Sequence, residues 1–176
     1  MASSPSPSVT PTPTTSPTPT PTPVPQPTPT PTPDKWILDE DQSSMDDTLS
    51  VTAFLRSDNE QRANSYSSTH ATLVVRCQER ETDVYINVDT FISTQPTRVR
   101  YRLDEEKARE ETWSVSTDYK AFFVRGAIAF ARKLAASQKF VLRFTPHGDS
   151  PLEYEFDVRG LAPHLAKIAK ACNWKP

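Results

Sequence analysis

At Asp34 the character of this chain changes abruptly. Residues 1–33 hold no charged residue, no aromatic and no glycine, and thirteen of the eighteen prolines fall there, mostly alternating with Thr or Ser. A segment so poor in apolar side chains cannot offset the conformational entropy lost on ordering, so it is expected to remain disordered. Its prolines favour an extended polyproline II stalk, rising about 3.1 Å per residue and reaching on the order of 100 Å. Residues 34–176 then carry nearly all the core-forming side chains and suit a single domain. The expected organisation is therefore a disordered Pro/Thr-rich spacer over 1–33 and one α+β domain over 34–176.

The formal net charge of −2 gives no reason to expect nucleic acid as a partner. With only Gly126, Gly148 and Gly160, there is no glycine-rich loop to cradle a phosphate. No run of 18 apolar residues is present, so nothing in this stretch reads as a membrane-spanning helix. Met1-Ala2-Ser3-Ser4 leads into the spacer without a basic or apolar leader. The expectation is an extracytoplasmic protein whose export signal or anchor lies outside this sequence. The alternative is a cytoplasmic protein with an internal linker.

After an acidic stretch read as a turn (Asp39 to Asp47), apolar residues alternate with polar ones. The period-2 stretches are Leu49–Leu55, Leu73–Cys77, Val84–Val88, Val99–Leu103, Trp113–Val115, Phe140–Phe144 and Leu152–Val158. Residues 57–70 read as a long loop or hairpin connection, and His147 to Pro151 as a hairpin loop. Phe123, Ala127, Phe130, Ala131 and Leu134 repeat at helical spacing, with Thr117 or Asp118 placed to cap. Leu161, Leu165, Ile168, Ala169 and Cys172 form the apolar stripe of a last helix. The expectation is an antiparallel sheet, or small sandwich, of about seven strands with two packed helices.

Cys77 is in phase with Leu73 and Val75, and Cys172 with Leu165 and Ile168, so both thiols point at one core. Two readings stand: a disulfide, favoured beside an extracytoplasmic stalk, and two separately buried thiols. Isolated thiols lack the paired spacing a zinc site needs. The segments Leu73-Val74-Val75-Arg76-Cys77, Val99-Arg100-Tyr101-Arg102-Leu103-Asp104, Trp113-Ser114-Val115-Ser116 and Cys172-Asn173-Trp174 resemble the type VI secretion-associated proteins called TagO or VasI. Trp36 with Ser43-Ser44-Met45-Asp46-Asp47 is similar to that family's opening motif. The resemblance implies an extracytoplasmic domain with paired cysteines that is accessory to secretion. The Pro-Thr stalk departs from that pattern.

No catalytic constellation stands out. His70, His147 and His164 are far apart, there is no G-x-S-x-G elbow, and His164 falls on the exposed side of its helix by phase. Asp39, Asp41, Asp46 and Asp47 would supply oxygen ligands to calcium, but they lack the glycine and register of an EF-hand; a solvated acidic turn is the default. The most distinctive polar feature is Arg98, Arg100 and Arg102, which share one strand face. They would bind an acidic partner, or else form a cross-strand ladder with Glu153, Glu155 and Asp157, which is the reading expected here. The sequence thus reads as a surface-displayed, non-catalytic interaction domain without cofactor, whose partner is a protein or an envelope polymer. The alternatives are an envelope- or wall-directed enzyme using the acidic-loop carboxylates, and a structural accessory of a secretion or phage-like assembly.

Overall fold

A computed structural model describes Met1, residues 34–64 and residues 67–176. The Pro/Thr spacer expected over 1–33 lies outside the described residues but for Met1.

The first strand forms where an acidic turn was expected. β1 (Ile37–Gln42) pairs antiparallel with β2 (Leu49–Arg56), setting Asp39 opposite Thr52 and Asp41 opposite Ser50. It is an edge strand exposed on both faces apart from Leu38, so no alternation betrays it in the sequence. Charges along such an edge also discourage further strands from adding. The connection after β2 contains a small hairpin, β3 (Gln61–Asn64) and β4 (Ser67–Thr69). Then come β5 (Thr72–Gln78), β6 (Glu81–Asn87), β7 (Thr97–Leu103), β8 (Arg109–Val115) and β9 (Ala121–Phe123). Helix α1 (Ala127–Ala136), β10 (Lys139–Phe144), β11 (Leu152–Asp157) and helix α2 (Leu161–Ala171) complete the described domain.

The main sheet has nine strands rather than about seven, all antiparallel, in the order β1-β2-β5-β6-β9-β8-β7-β10-β11. The ends of that order are drawn together. Asp58 N–H donates to the Glu155 carbonyl at 2.7 Å. The Asn59 side chain accepts from Glu155 N–H and donates to the Glu153 carbonyl, so it stands in for a neighbouring strand along β11. Trp36 Nε1 donates to the Val158 carbonyl at 3.3 Å, fastening the start of β1 to the chain leaving β11. Edge groups that would otherwise invite another chain are thereby occupied.

Alternation along the strands sends Leu73, Val75, Cys77, Val84, Ile86, Val99, Phe140, Leu142 and Phe156 into one core, all 0 % exposed. At its centre Phe130 of α1 meets Tyr101, Trp113 and Phe140 edge-on, with ring centroids 5.5, 5.9 and 5.7 Å apart. Full burial of such a side chain contributes about 1.5–3 kcal/mol. Helix α2 lays Leu161, Leu165, Ile168 and Ala169 into the same core. It begins at Gly160, whose φ of +92° no β-carbon tolerates well and where an added Cβ would stand 2.7 Å from an Asp34 carboxylate oxygen.

Helix α1 starts later than its apolar spacing predicts. Phe123 belongs to β9, stacked on Tyr85 at 5.1 Å, and Gly126 in the left-handed region opens the helix without a side-chain cap. Asp118, expected as a cap, accepts from Ser116 Oγ and Lys120 N–H in the turn before β9.

Candidate functional site

Cys77 and Cys172 are joined in a disulfide, with Cα atoms 5.6 Å apart and a sequence separation of 95. The bond ties β5 to the end of α2, as the two apolar phases suggested. Beside it, Trp174 Nε1 donates to Thr82 Oγ1 at 2.8 Å, and the Trp174 ring lies under the Arg132 guanidinium at 5.3 Å.

The arginine stripe emerges on the outer face of β7, with Arg98, Arg100 and Arg102 all exposed. The expected ladder does not form. β10 stands between β7 and β11, so Arg100 is opposite Arg143 on one side and Glu110 on the other, while Arg102 is opposite Val141. The acids of β11 find their partners on β10 and beyond. Lys139 reaches Glu155 at 2.6 Å and Arg143 lies 4.0 Å from Glu153. Asp157 is held by Arg159 at 2.6 Å and Lys35 at 3.5 Å. The Arg159 hydrogen bond, with its charge and that of Lys35, keeps the Asp157 carboxyl below the ordinary carboxylate value despite burial. Among the described residues, Arg98, Arg100 and Arg102 make no ion pair and no side-chain hydrogen bond.

Two concavities open along this face. One, about 270 Å³, is lined by Arg100, Arg102, Val141, Arg143, Glu153 and Glu155. The other, about 400 Å³, is lined by Arg98, Arg100, Arg143, Glu110 and the Thr97 and Thr145 side of the strands. Guanidinium groups spaced like this present forked donors to carboxylate or phosphate oxygens.

Behind the face, Glu111 points inward and accepts from Tyr101 Oη at 2.7 Å and Trp113 Nε1 at 3.1 Å. Burial works to raise the Glu111 carboxyl, but those two donors and the charges of Lys133 and Arg109 outweigh it and hold it below its ordinary value. Tyr101 is pushed up to about 12, by burial first and then by the hydrogen bond to Glu111. This carboxylate locks two core aromatics. The one signal in the sequence that separates it from its exposed neighbour Glu110 is that it lies in phase with Trp113 and Val115.

The calcium candidates are only partly assembled. Asp39 and Asp41 lie on β1; Asp41 and Asp46 line a concavity of about 610 Å³ that Asp39 and Asp47 do not. Asp46 accepts from the Thr48 hydroxyl and N–H, and no group of three metal-holding side chains occurs among the described residues. His164 is not a solvated histidine. Its side chain is 17 % exposed and its Nε2 stands 2.7 Å from Asp34, tying α2 to the segment before β1. Its phase on α2 faces away from the core, yet the residues preceding β1 cover it.

Ser57, His70 and Glu60 approach one another in a triad-like order, His70 Nε2 lying 2.9 Å from Glu60. The Ser57 hydroxyl, however, is buried, donates to the Asn59 carbonyl and accepts from Ala71 N–H. It staples the loop that caps β11 and is not presented as a nucleophile.

A disulfide-closed, antiparallel α+β domain with an unpaired arginine face is the class that the fold and this surface define. A family model described as "Type VI secretion system VasI, EvfG, VC_A0118" matches residues 24–174, and the chain belongs to that family. Among solved structures, the crystal structure of invasion associated protein b from Bartonella henselae is similar in fold. The TM-score is 0.51 at 13 % identity, over 77 % of this chain and 92 % of that one. No curated protein matches the sequence. No helix among the described residues is long and apolar enough to cross a membrane.

Proposed function

We propose that this chain is an extracytoplasmic accessory protein of a type VI secretion assembly, and that it works by binding a protein partner rather than by catalysis. The observation that carries this reading is the outer face of β7, where three arginines stand without ion partners beside two open concavities, on a domain whose family is that of a type VI secretion protein. The disulfide supports the compartment, because thiols of most cytosolic proteins are kept reduced. Residues 1–33 act in this reading as an extended spacer that holds the domain away from its point of attachment.

Deleting the gene in producing cells is expected to lower export by their type VI system, and the wild-type chain supplied in trans is expected to restore it. Alkylation of intact cells should leave Cys77 and Cys172 unlabelled until a reductant is added. Undiminished export in the deletion strain, or two freely labelled thiols in the native protein, would overturn the proposal.

A further inference from the structure

We infer that the concavity between Arg98, Arg100 and Arg143 is a binding site for an extended acidic segment of a protein partner, with carboxylates at alternate positions. The inference rests on the accessory reading above and names the chemistry of the partner.

Three features carry it. First, Arg100 and Arg143 are direct cross-strand partners in the β7–β10 register, a like-charge pairing that works against the sheet. Arg143 has Glu153 at 4.0 Å on its other side, and Arg100 is opposite Glu110 of β8 but forms no ion pair with it or with any other described residue. A guanidinium held beside a like charge, with no ion pair of its own, is what a site kept for a ligand leaves behind. Second, Arg98, Arg100 and Arg143 all line the 400 Å³ concavity, where Thr97 and Thr145 also stand and Glu110 is the one carboxylate. Third, the spacing selects the ligand. Arg98, Arg100 and Arg102 repeat every second residue along a strand, about 6.8 Å apart, which is the repeat of alternate side chains in an extended peptide.

The flanking carboxylates decide between kinds of anion. Glu110 borders the larger concavity, and Glu153 and Glu155 border the smaller one. A uniformly charged polymer laid across this face would meet those acids as well as the arginines. A peptide bearing carboxylates only at alternate positions meets the guanidinium groups with them, turns its neutral side chains to solvent, and carries less charge past the flanking acids.

The test is a fluorescence-anisotropy titration of the purified full chain, disulfide intact, at low salt. The probe is a labelled eight-residue peptide of alternating Glu and Thr. Saturable binding is expected, weakened at least tenfold by Arg100→Glu and by the double variant Arg98→Ala with Arg100→Ala. The exposed Arg125→Glu, on a different part of the surface, is expected to leave it within twofold. The double alanine variant removes the repulsion from Arg143 and the attraction to Glu110 together and breaks no ion pair, so it should melt close to the parent and its loss of binding is not a loss of fold. The same peptide composition with its four Glu in one block should bind more weakly, as should inorganic polyphosphate. Absence of saturation at millimolar peptide, an equal loss in Arg125→Glu, or tighter binding of polyphosphate than of the alternating peptide would each overturn the inference. Because the titration uses isolated protein, its failure leaves the export and alkylation results, and the reading they test, untouched.

Discussion

Arg76 and Arg100 occupy outward positions in the two halves of one sheet, and they meet opposite circumstances. Arg76 on β5 pairs with Asp83 of β6 at 3.0 Å and lies over the Tyr85 ring at 5.2 Å. Around it the outer face is partly apolar. Phe54, Val74, Tyr85 and Phe123 sit in register across β2, β5, β6 and β9, and Val74 is only 2 % exposed although it points away from the core. At Arg76 that half satisfies its charge and covers much of its outer face, and the disulfide and α2 brace it from within. The half built from β8, β7, β10 and β11 is equally well filled inside, with Phe140 and Phe156 stacked at 5.6 Å, yet outside it leaves a row of guanidinium groups to water. One core thus supports two outer faces, one finished by the chain and one left open. The difference points to binding on the open face and to stability on the closed one.

The largest effect expected from this contrast is on the braced half. The disulfide closes a loop of 95 residues, and in the chain-entropy treatment such a loop stabilises by about 4 to 5 kcal/mol, often less in practice. Cys172→Ser should lower stability by several kcal/mol in urea melts. Under native conditions, amide exchange should quicken in α2 and β5 more than in β7 and β10, since local opening follows the contacts removed. Uniform quickening across both halves would show that the brace serves the whole sheet, and the division drawn here would fail.

A smaller loss is expected beneath the open face. Glu111→Gln keeps an acceptor but turns an amide N–H₂ toward Tyr101 Oη or Trp113 Nε1, and leaving one of these donors unmet costs about 1 to 3 kcal/mol. The acid dependence gives the sign. A carboxyl whose folded value is depressed stabilises fully above its unfolded value of 4.5, and that contribution is lost as pH falls through the lower folded value. Between about pH 5 and pH 2 the variant should therefore lose less stability than the parent. Asp157, also held low, keeps part of the slope in both. An acid limb identical to the parent's would mean that Glu111 is not charged in its lock.

Most of this architecture could be read from alternation alone, because a half-buried strand and an amphipathic helix each write their period into the sequence. Two such periods pointed both thiols at one core, and of the two readings that left, the disulfide is the one the structure shows. Where two faces share the same environment, the signal vanishes. β1 is wet on both sides and Ile37 is 69 % exposed, so it resembled a turn. Phe123 suited the helical spacing of Ala127 and Phe130 as well as it suits β9, and Gly126 was the only hint of a boundary. The arginine stripe itself was legible, but its pairing failed to read for a different reason. Pairing Arg100 with the β11 acids needed knowledge of which strands are neighbours, a long-range choice between β10 and β11. The hairpin through His147 to Pro151 did set β10 against β11, and Lys139 and Arg143 on it were nearer partners for those acids than anything on β7.

That hairpin sets up the finest test, on the two sets of charges that flank β10. Exposed ion pairs contribute about 0.2 to 1 kcal/mol, so only a double-mutant cycle can separate them from the background of single substitutions. Arg143 lies 4.0 Å from Glu153, and reversing both, Arg143→Glu with Glu153→Lys, should recover part of what each reversal loses. Arg100 is opposite Arg143 and has no ion partner, so the cycle of Arg100→Glu with Glu155→Lys should give a coupling indistinguishable from zero. Arg100→Ala alone should leave the melting temperature nearly unchanged, because it removes a like-charge neighbour, Arg143, together with an opposite one, Glu110, and breaks no ion pair. Added salt should shrink the Arg143–Glu153 coupling, because it screens exposed charges, and leave the other at zero. An Arg100–Glu155 coupling as large as that of Arg143 and Glu153 would mean that the arginines of β7 reach over β10 to the acids of β11. The open face would then be as finished as the closed one, and the arginines would be part of the sheet's own charge balance.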